Sequence, residues 1–114
     1  MSYEVGGKTI EADANGYLVN LEDWSEDVAK VIAEAEGITL SDKAWDVINY
    51  LRDEYFNNNN NQPNERNMVK HFKKVWTDLD KVDAKALYMH FPKGPAKQAS
   101  KIAGLPETKR KGGY

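Results

Sequence analysis

No cysteine occurs anywhere in the 114 residues. That absence excludes disulfides, thiolate-bound zinc, iron–sulfur clusters and thiol catalysis by this chain. Histidine is nearly absent too: His71 and His90 stand far apart, without a carboxylate at ligand spacing, and no metal site is expected from them. No G-x-S-x-G elbow, glycine-rich phosphate loop or H-E-x-x-H stretch is present. Gly94-Pro95-Ala96-Lys97 is no substitute for a phosphate loop, because proline removes one of the amides such a cradle needs. No apolar run approaches the roughly 20 residues that cross a bilayer. The opening MSYEVGGKTIEADANG has neither the basic nor the apolar part of a signal peptide. The expectation is a cytoplasmic protein that makes no membrane contact, binds no cofactor and is not by itself an enzyme.

What is present suits a globular domain. Hydrophobic residues make up 40% and charged residues 30%, and three Trp, six Tyr and three Phe supply bulk for one core. The net charge of −2 conceals an asymmetry. Residues 1–60 carry 13 acids against 4 bases, whereas residues 61–114 carry 5 acids against 12 bases. Glu22, Asp23, Glu26 and Asp27 cluster where a helix begins, which the helix dipole alone favours. Arg66, Lys70, Lys73 and Lys74, with Lys109, Arg110 and Lys111 near the end, form the basic groups through which nucleic acid would be contacted. Lysines at helical spacing are more commonly a solvated face, and Asp83-Ala84-Lys85 is a poor set for base readout.

The chain opens with alternating residues around Gly6-Gly7, which predicts a β-hairpin over 3–11. A turn at Asp13–Gly16 then leads to a short third strand at Tyr17–Val19. From Ser25 the period becomes helical, with Val28, Val31, Ile32 and Ala35 on one face and Gly37 as the stop. A second helix runs from Ser41 to about Asn57 with Trp45, Ile48, Leu51, Arg52 and Tyr55 on its stripe. The asparagines of 57–61 make a loop. Pro63 opens a third helix facing inward with Met68, Phe72, Val75 and Trp76. Asp83 caps a short helix through Leu87, Tyr88 and Phe91, and Pro95 starts a last one with Ala96, Ala99, Ile102 and Ala103 packed and Gly104 as the stop. The predicted fold is mainly α with a small N-terminal β-hairpin: one domain over 1–106 (hairpin region 1–20, helices 25–104) and a flexible arm over 107–114.

The stretch HFPKGPAKQASKIAGLP, residues 90–106, resembles the C-terminal signature of the DsrC/TusE family. Other matches follow in order: Asn15-Gly16-Tyr17-Leu18, Asp23-Trp24 with Val28-Ala29, the run from Trp45 to Arg52, and Pro63 with Arg66. The resemblance implies a small helical fold with a helix-turn-helix-like element and a C-terminal arm that inserts into a partner. In the family that arm carries a penultimate cysteine as persulfide or trisulfide. TusE-like members pass sulfur toward 2-thiolation of the tRNA wobble uridine, and DsrC-like members serve dissimilatory sulfite reductase.

This sequence departs from the family at both sulfur positions. Ser100 stands at the second cysteine, as in TusE-like members, and Lys111 or Gly113 stands at the penultimate one. Glu107-Thr108 replaces the usual Lys-Pro, and Ala44 precedes Trp45 where histidine is common. The resemblance therefore implies a protein that docks to sulfur-relay or sulfite-reductase partners through Lys93, Gly94, Pro95, Lys97, Gln98, Lys101, Gly104, Leu105 and Pro106, regulating or scaffolding without carrying sulfur. Two alternatives are a DNA-binding regulator using the helix-turn-helix-like element and the basic arm, and a sulfur-relay component whose thiol comes from a partner.

Overall fold

The computed structural model describes residues 1–107. Gly6 and Gly7 both take positive φ, 55° and 84°, the torsions of a two-residue hairpin turn. They join β1 (Ser2–Val5) to β2 (Lys8–Glu11) in an antiparallel pair, with Tyr3 opposite Ile10 and Glu4 opposite Thr9. Tyr3 and Ile10 point into the core while their neighbours face solvent. The expected third strand does not form: residues 17–19 contribute only the bridge Ala12↔Leu18. Asn20 is the reason. Its side chain accepts the Glu22 amide at 3.0 Å and caps a 3₁₀ turn, Leu21–Asp23, that carries the chain off the sheet.

Five helices follow. α1 (Glu26–Glu36) is capped by Ser25, whose hydroxyl accepts the Val28 amide at 3.2 Å, and ends at Gly37 with φ 72°. Its buried face is Val28, Ala29, Ile32 and Ala33. The predicted face was rotated: Val31 is only half-buried and Ala35 is exposed, because α1 packs on both β1 and the last helix and uses its small residues for close approach. α2 (Asp42–Asn57) starts at a Ser41 cap and buries Ala44, Val47, Ile48 and Leu51, with Trp45, Arg52 and Tyr55 half-buried along its flanks. It runs into the asparagine loop, where Asn59 and Asn60 adopt left-handed backbone, which asparagine tolerates better than most residues.

α3 (Glu65–Val75) begins later than Pro63 predicts. Asn64 supplies the cap, its Oδ1 accepting the Asn67 amide at 2.9 Å, and Pro63 is buried just before it. Met68 and Phe72 face inward, but Val75 is 48% exposed, and Trp76 turns in only after the helix has ended. There it stacks on Phe72 at 4.3 Å and donates its indole N–H to Asp46 at 2.9 Å. α4 (Ala84–Tyr88) is a single turn and a half behind its Asp83 cap; Leu87 is buried, Tyr88 is exposed, and Phe91 enters the core beyond the helix. α5 (Pro95–Ile102) lies against α1 and α2, and one continuous cluster of buried side chains runs from Tyr3 to Leu105. Among the described residues no helix is long and apolar enough to cross a membrane.

Candidate functional site

α5 is short and almost wholly buried, so its ends must be satisfied by other parts of the protein. At its start Gly94 has φ 119°, a torsion open to glycine, and Pro95 occupies the first helical position, where its missing N–H costs nothing. Gln98 is buried, with both ends of its amide hydrogen-bonded. Its Oε1 accepts the Lys93 amide at 3.1 Å and its Nε2 donates to Glu36 Oε1 at 3.1 Å. Lys101 reaches the other oxygen of Glu36 at 3.4 Å and lies 5.3 Å from the centre of the Tyr17 ring. The Tyr17 hydroxyl donates to the Lys97 carbonyl at 3.2 Å. Burial, together with the charges of Glu107, Glu36 and Asp13, pushes its pKa up to about 12, so it stays a neutral donor.

The far end of α5 closes in two ways. The Leu105 amide donates to the Ser100 carbonyl at 3.0 Å and the Gly104 amide to the Lys101 carbonyl at 3.1 Å, with Gly104 at φ 72°: a Schellman ending. Two side chains take the remaining carbonyls. Trp24 Nε1 donates to Ile102 at 2.9 Å, and Arg52 donates to Ala103 at 2.7 Å. The guanidinium lies over two rings, 3.7 Å from the centre of Trp24 and 4.8 Å from that of Phe56. Burial lowers the Arg52 pKa from its usual value.

Past α5 the chain leaves through a pair of amides. Leu105 is buried, Gln62 Nε2 donates to the Pro106 carbonyl at 2.8 Å, and Asn15 Nδ2 donates to the Glu107 carboxylate at 3.0 Å. The turn before Tyr17 and the asparagine loop thus hold the chain from two sides. Such an arrangement binds and positions a segment; it assembles no nucleophile with a base.

A family model for DsrC-like proteins matches residues 4–110. The chain belongs to the DsrC/TusE family. It is 48% identical over 101 residues to the sulfurtransferase TusE of Escherichia coli strain K12, covering 89% of this chain and 91% of that one. It is 46% identical over 104 residues to the sulfurtransferase TusE of Yersinia pseudotuberculosis, covering 91% and 94%. Among solved structures it resembles the oxidized gamma-subunit of dissimilatory sulfite reductase, DsrC, from Archaeoglobus fulgidus, with a TM-score of 0.86, 36% identity and coverage of 96% and 98%. DsrC from Allochromatium vinosum gives a TM-score of 0.84 at 40% identity, again over 96% and 98%. The DsrC/TusE family resemblance and the mainly helical fold with its small hairpin are therefore both findings.

The DsrC/TusE signature residues are distributed unevenly over the surface. Lys93 is exposed and Lys97, Lys101 and Pro106 are half-buried, whereas Gly94, Pro95, Gln98, Gly104 and Leu105 lie inside and shape the helix from beneath. Ser100 is 1% exposed on the inward side of α5. Lys111 and Gly113, read as the place of the penultimate cysteine, lie outside the described residues, as do Lys109 and Arg110. Arg66, Lys70, Lys73 and Lys74 all stand exposed on α3, as the charged face of an amphipathic helix does. His71 stacks on Tyr50 at 4.0 Å and His90 meets Ser41 Oγ at 3.2 Å. The two histidines thus have separate packing roles.

Arg52, Trp24, Gln62 and Asn15, which hold α5 and the chain beyond it, are not marked for this site by any motif in the sequence. An arginine inside the apolar stripe of α2 was the available signal, since a buried guanidinium requires an acceptor.

Proposed function

We propose that this DsrC/TusE-family chain is a cysteine-free protein of sulfur metabolism that docks through α5 and the segment beyond it to sulfur-relay or sulfite-reductase-type partners, regulating or scaffolding them without carrying sulfur. One observation carries the reading: the apparatus that holds α5 and directs the chain past Pro106 is complete, while the chain contains no cysteine. Sulfur relay needs a thiolate as nucleophile and as bearer of a labile sulfur–sulfur bond. No serine, lysine or glycine substitutes for it. The exposed Lys93 and half-buried Lys97 offer a cationic border to an acidic partner surface, while Lys101, held by Glu36, the buried glycines and Leu105 fix the shape that the border follows.

The test is binding of the purified protein to a sulfur-relay complex and to dissimilatory sulfite reductase, followed by intact mass measurement after exposure to a persulfidated donor. Binding to either partner with no gain of sulfur mass is the expected result. Failure to bind both, or a stable sulfur adduct, overturns the reading.

A further inference from the structure

The hairpin leaves one edge open beside a groove. Val5 and Lys8 flank the two-residue turn and form the narrow hydrogen-bonded pair, and the pairs alternate from there. Glu4/Thr9 and Ser2/Glu11 consequently turn their backbone N–H and C=O groups outward. The far end follows the same alternation. Met1 and Ala12 exchange bonds at 2.8 and 3.0 Å, whereas the Glu11 carbonyl accepts from outside the hairpin, from the Val19 amide at 3.1 Å. Beyond that contact the neighbouring segment is carried away by the Asn20-capped turn. Among the described residues, the outward backbone groups of Thr9 have no backbone partner.

The space vacated beside β2 is a groove of about 440 Å³ with Val5, Ile10 and Val28 as its apolar lining. Its rim carries Glu22 and Asp23 against the single cation Lys8. Both acids are exposed, and Glu26 and Asp27 extend the negative surface into the first turn of α1. An edge that offers a free donor and acceptor, an apolar floor and an acidic rim fits an extended segment with alternate side chains of two kinds.

We propose that the outer edge of β2 is a docking site for an extended peptide segment of a partner protein, alternating apolar with lysine or arginine residues, which adds to the hairpin as a third strand. The backbone of Thr9 supplies the pairing, the groove takes the apolar side chains, and Glu22 and Asp23 select the cations. This surface is separate from α5 and does not depend on the role proposed for it.

The experiment titrates a short synthetic peptide of alternating lysine and valine into the isotopically labelled protein and follows amide shifts and hydrogen exchange. Shifts and slowed exchange at Thr9 are expected, with no response to a glutamate–valine peptide. Thr9→Pro removes the outward N–H and, within the hairpin, only the exposed bond that Thr9 Oγ1 donates to Glu4 at 2.8 Å, so it should fold and abolish binding. Should that variant fail to fold, the double variant E22K/D23K keeps every backbone group and should weaken binding roughly tenfold. Absence of any shift at Thr9, equal binding of the acidic peptide, or undiminished binding by E22K/D23K overturns the proposal.

Discussion

The guanidinium of Arg52 lies 3.7 Å from the centre of the Trp24 ring, and the two side chains donate to successive carbonyls at the end of α5, Ala103 and Ile102. Each restrains the other: the ring limits the rotamers of the arginine, and the arginine covers a face of the ring. Arg52→Ala should therefore lose a charge-assisted hydrogen bond and a cation–π contact together, and leave the Ala103 carbonyl without that partner. The expected cost is about 2–4 kcal/mol, measured by urea denaturation. Arg52→Lys should recover only part of it, because an ammonium cannot both stack flat and donate sideways.

Gly104 also meets the same tryptophan. A Cβ built on it would fall 2.3 Å from Trp24 Cδ1, and its φ of 72° strains any other residue. Gly104→Ala should destabilise the protein by about 2–4 kcal/mol. The indole must move to admit the methyl group, so the tryptophan fluorescence of the folded state should change as well. An unaltered spectrum with unaltered stability would contradict the packing described here.

These two cases divide what the sequence makes legible from what it does not. Ser25, Ser41 and Asp83 announce helix starts, and Gly37 and Gly104 announce stops, because caps act on backbone only a few residues away. The hairpin at Gly6-Gly7 is legible for the same reason. Trp24 to Ile102, Arg52 to Ala103 and Gln62 to Pro106 join residues 78, 51 and 44 apart. Their partners are backbone carbonyls, which leave no mark on the residue type at the accepting position. The rotation of the α1 face and the missing third strand were likewise decided by tertiary packing and by one capping asparagine. The family signature located α5, but five of the nine residues assigned to docking, Gly94, Pro95, Gln98, Gly104 and Leu105, are internal supports.

Stability should depend on pH through His90. Its Nδ1 lies 3.2 Å from Ser41 Oγ, the atom that caps α2. Burial lowers its pKa below the ordinary 6.5, with the charge of Lys43 acting in the same direction. The folded state thus holds the neutral ring, and the unfolded chain takes up the proton first as pH falls. Stability is full above 6.5 and is lost as pH falls toward the lowered folded value, below which it falls no further on this account. Urea midpoints between about pH 8 and pH 5 should fall more steeply for the natural protein than for His90→Asn. Parallel curves would show that another group sets the dependence.

The amides of Asn15 and Gln62 should matter for direction more than for stability. Each makes one hydrogen bond to the chain leaving α5, at 3.0 and 2.8 Å. Asn15→Ala and Gln62→Ala should each cost no more than about 1 kcal/mol. The Glu107 backbone should nonetheless become more mobile by nitrogen relaxation in both variants, and more so in the double variant. A loss of stability without greater mobility there would mean that the two amides serve their own loops.

Burial at Ser100 makes the last expectation. With 1% of its surface exposed on the inner side of α5, position 100 is closed to reagents and to protein partners while the fold holds. A thiol placed there would also be held protonated by its apolar surroundings, away from the thiolate form that attacks sulfur. Ser100→Cys should therefore fold with nearly natural stability, resist alkylation by iodoacetamide in native buffer and react readily in urea, as followed by intact mass. It should gain no sulfur from a persulfidated donor unless the protein is unfolded. Rapid native labelling would mean that α5 opens on the timescale of the reaction, and would place position 100 within reach of a partner's sulfur.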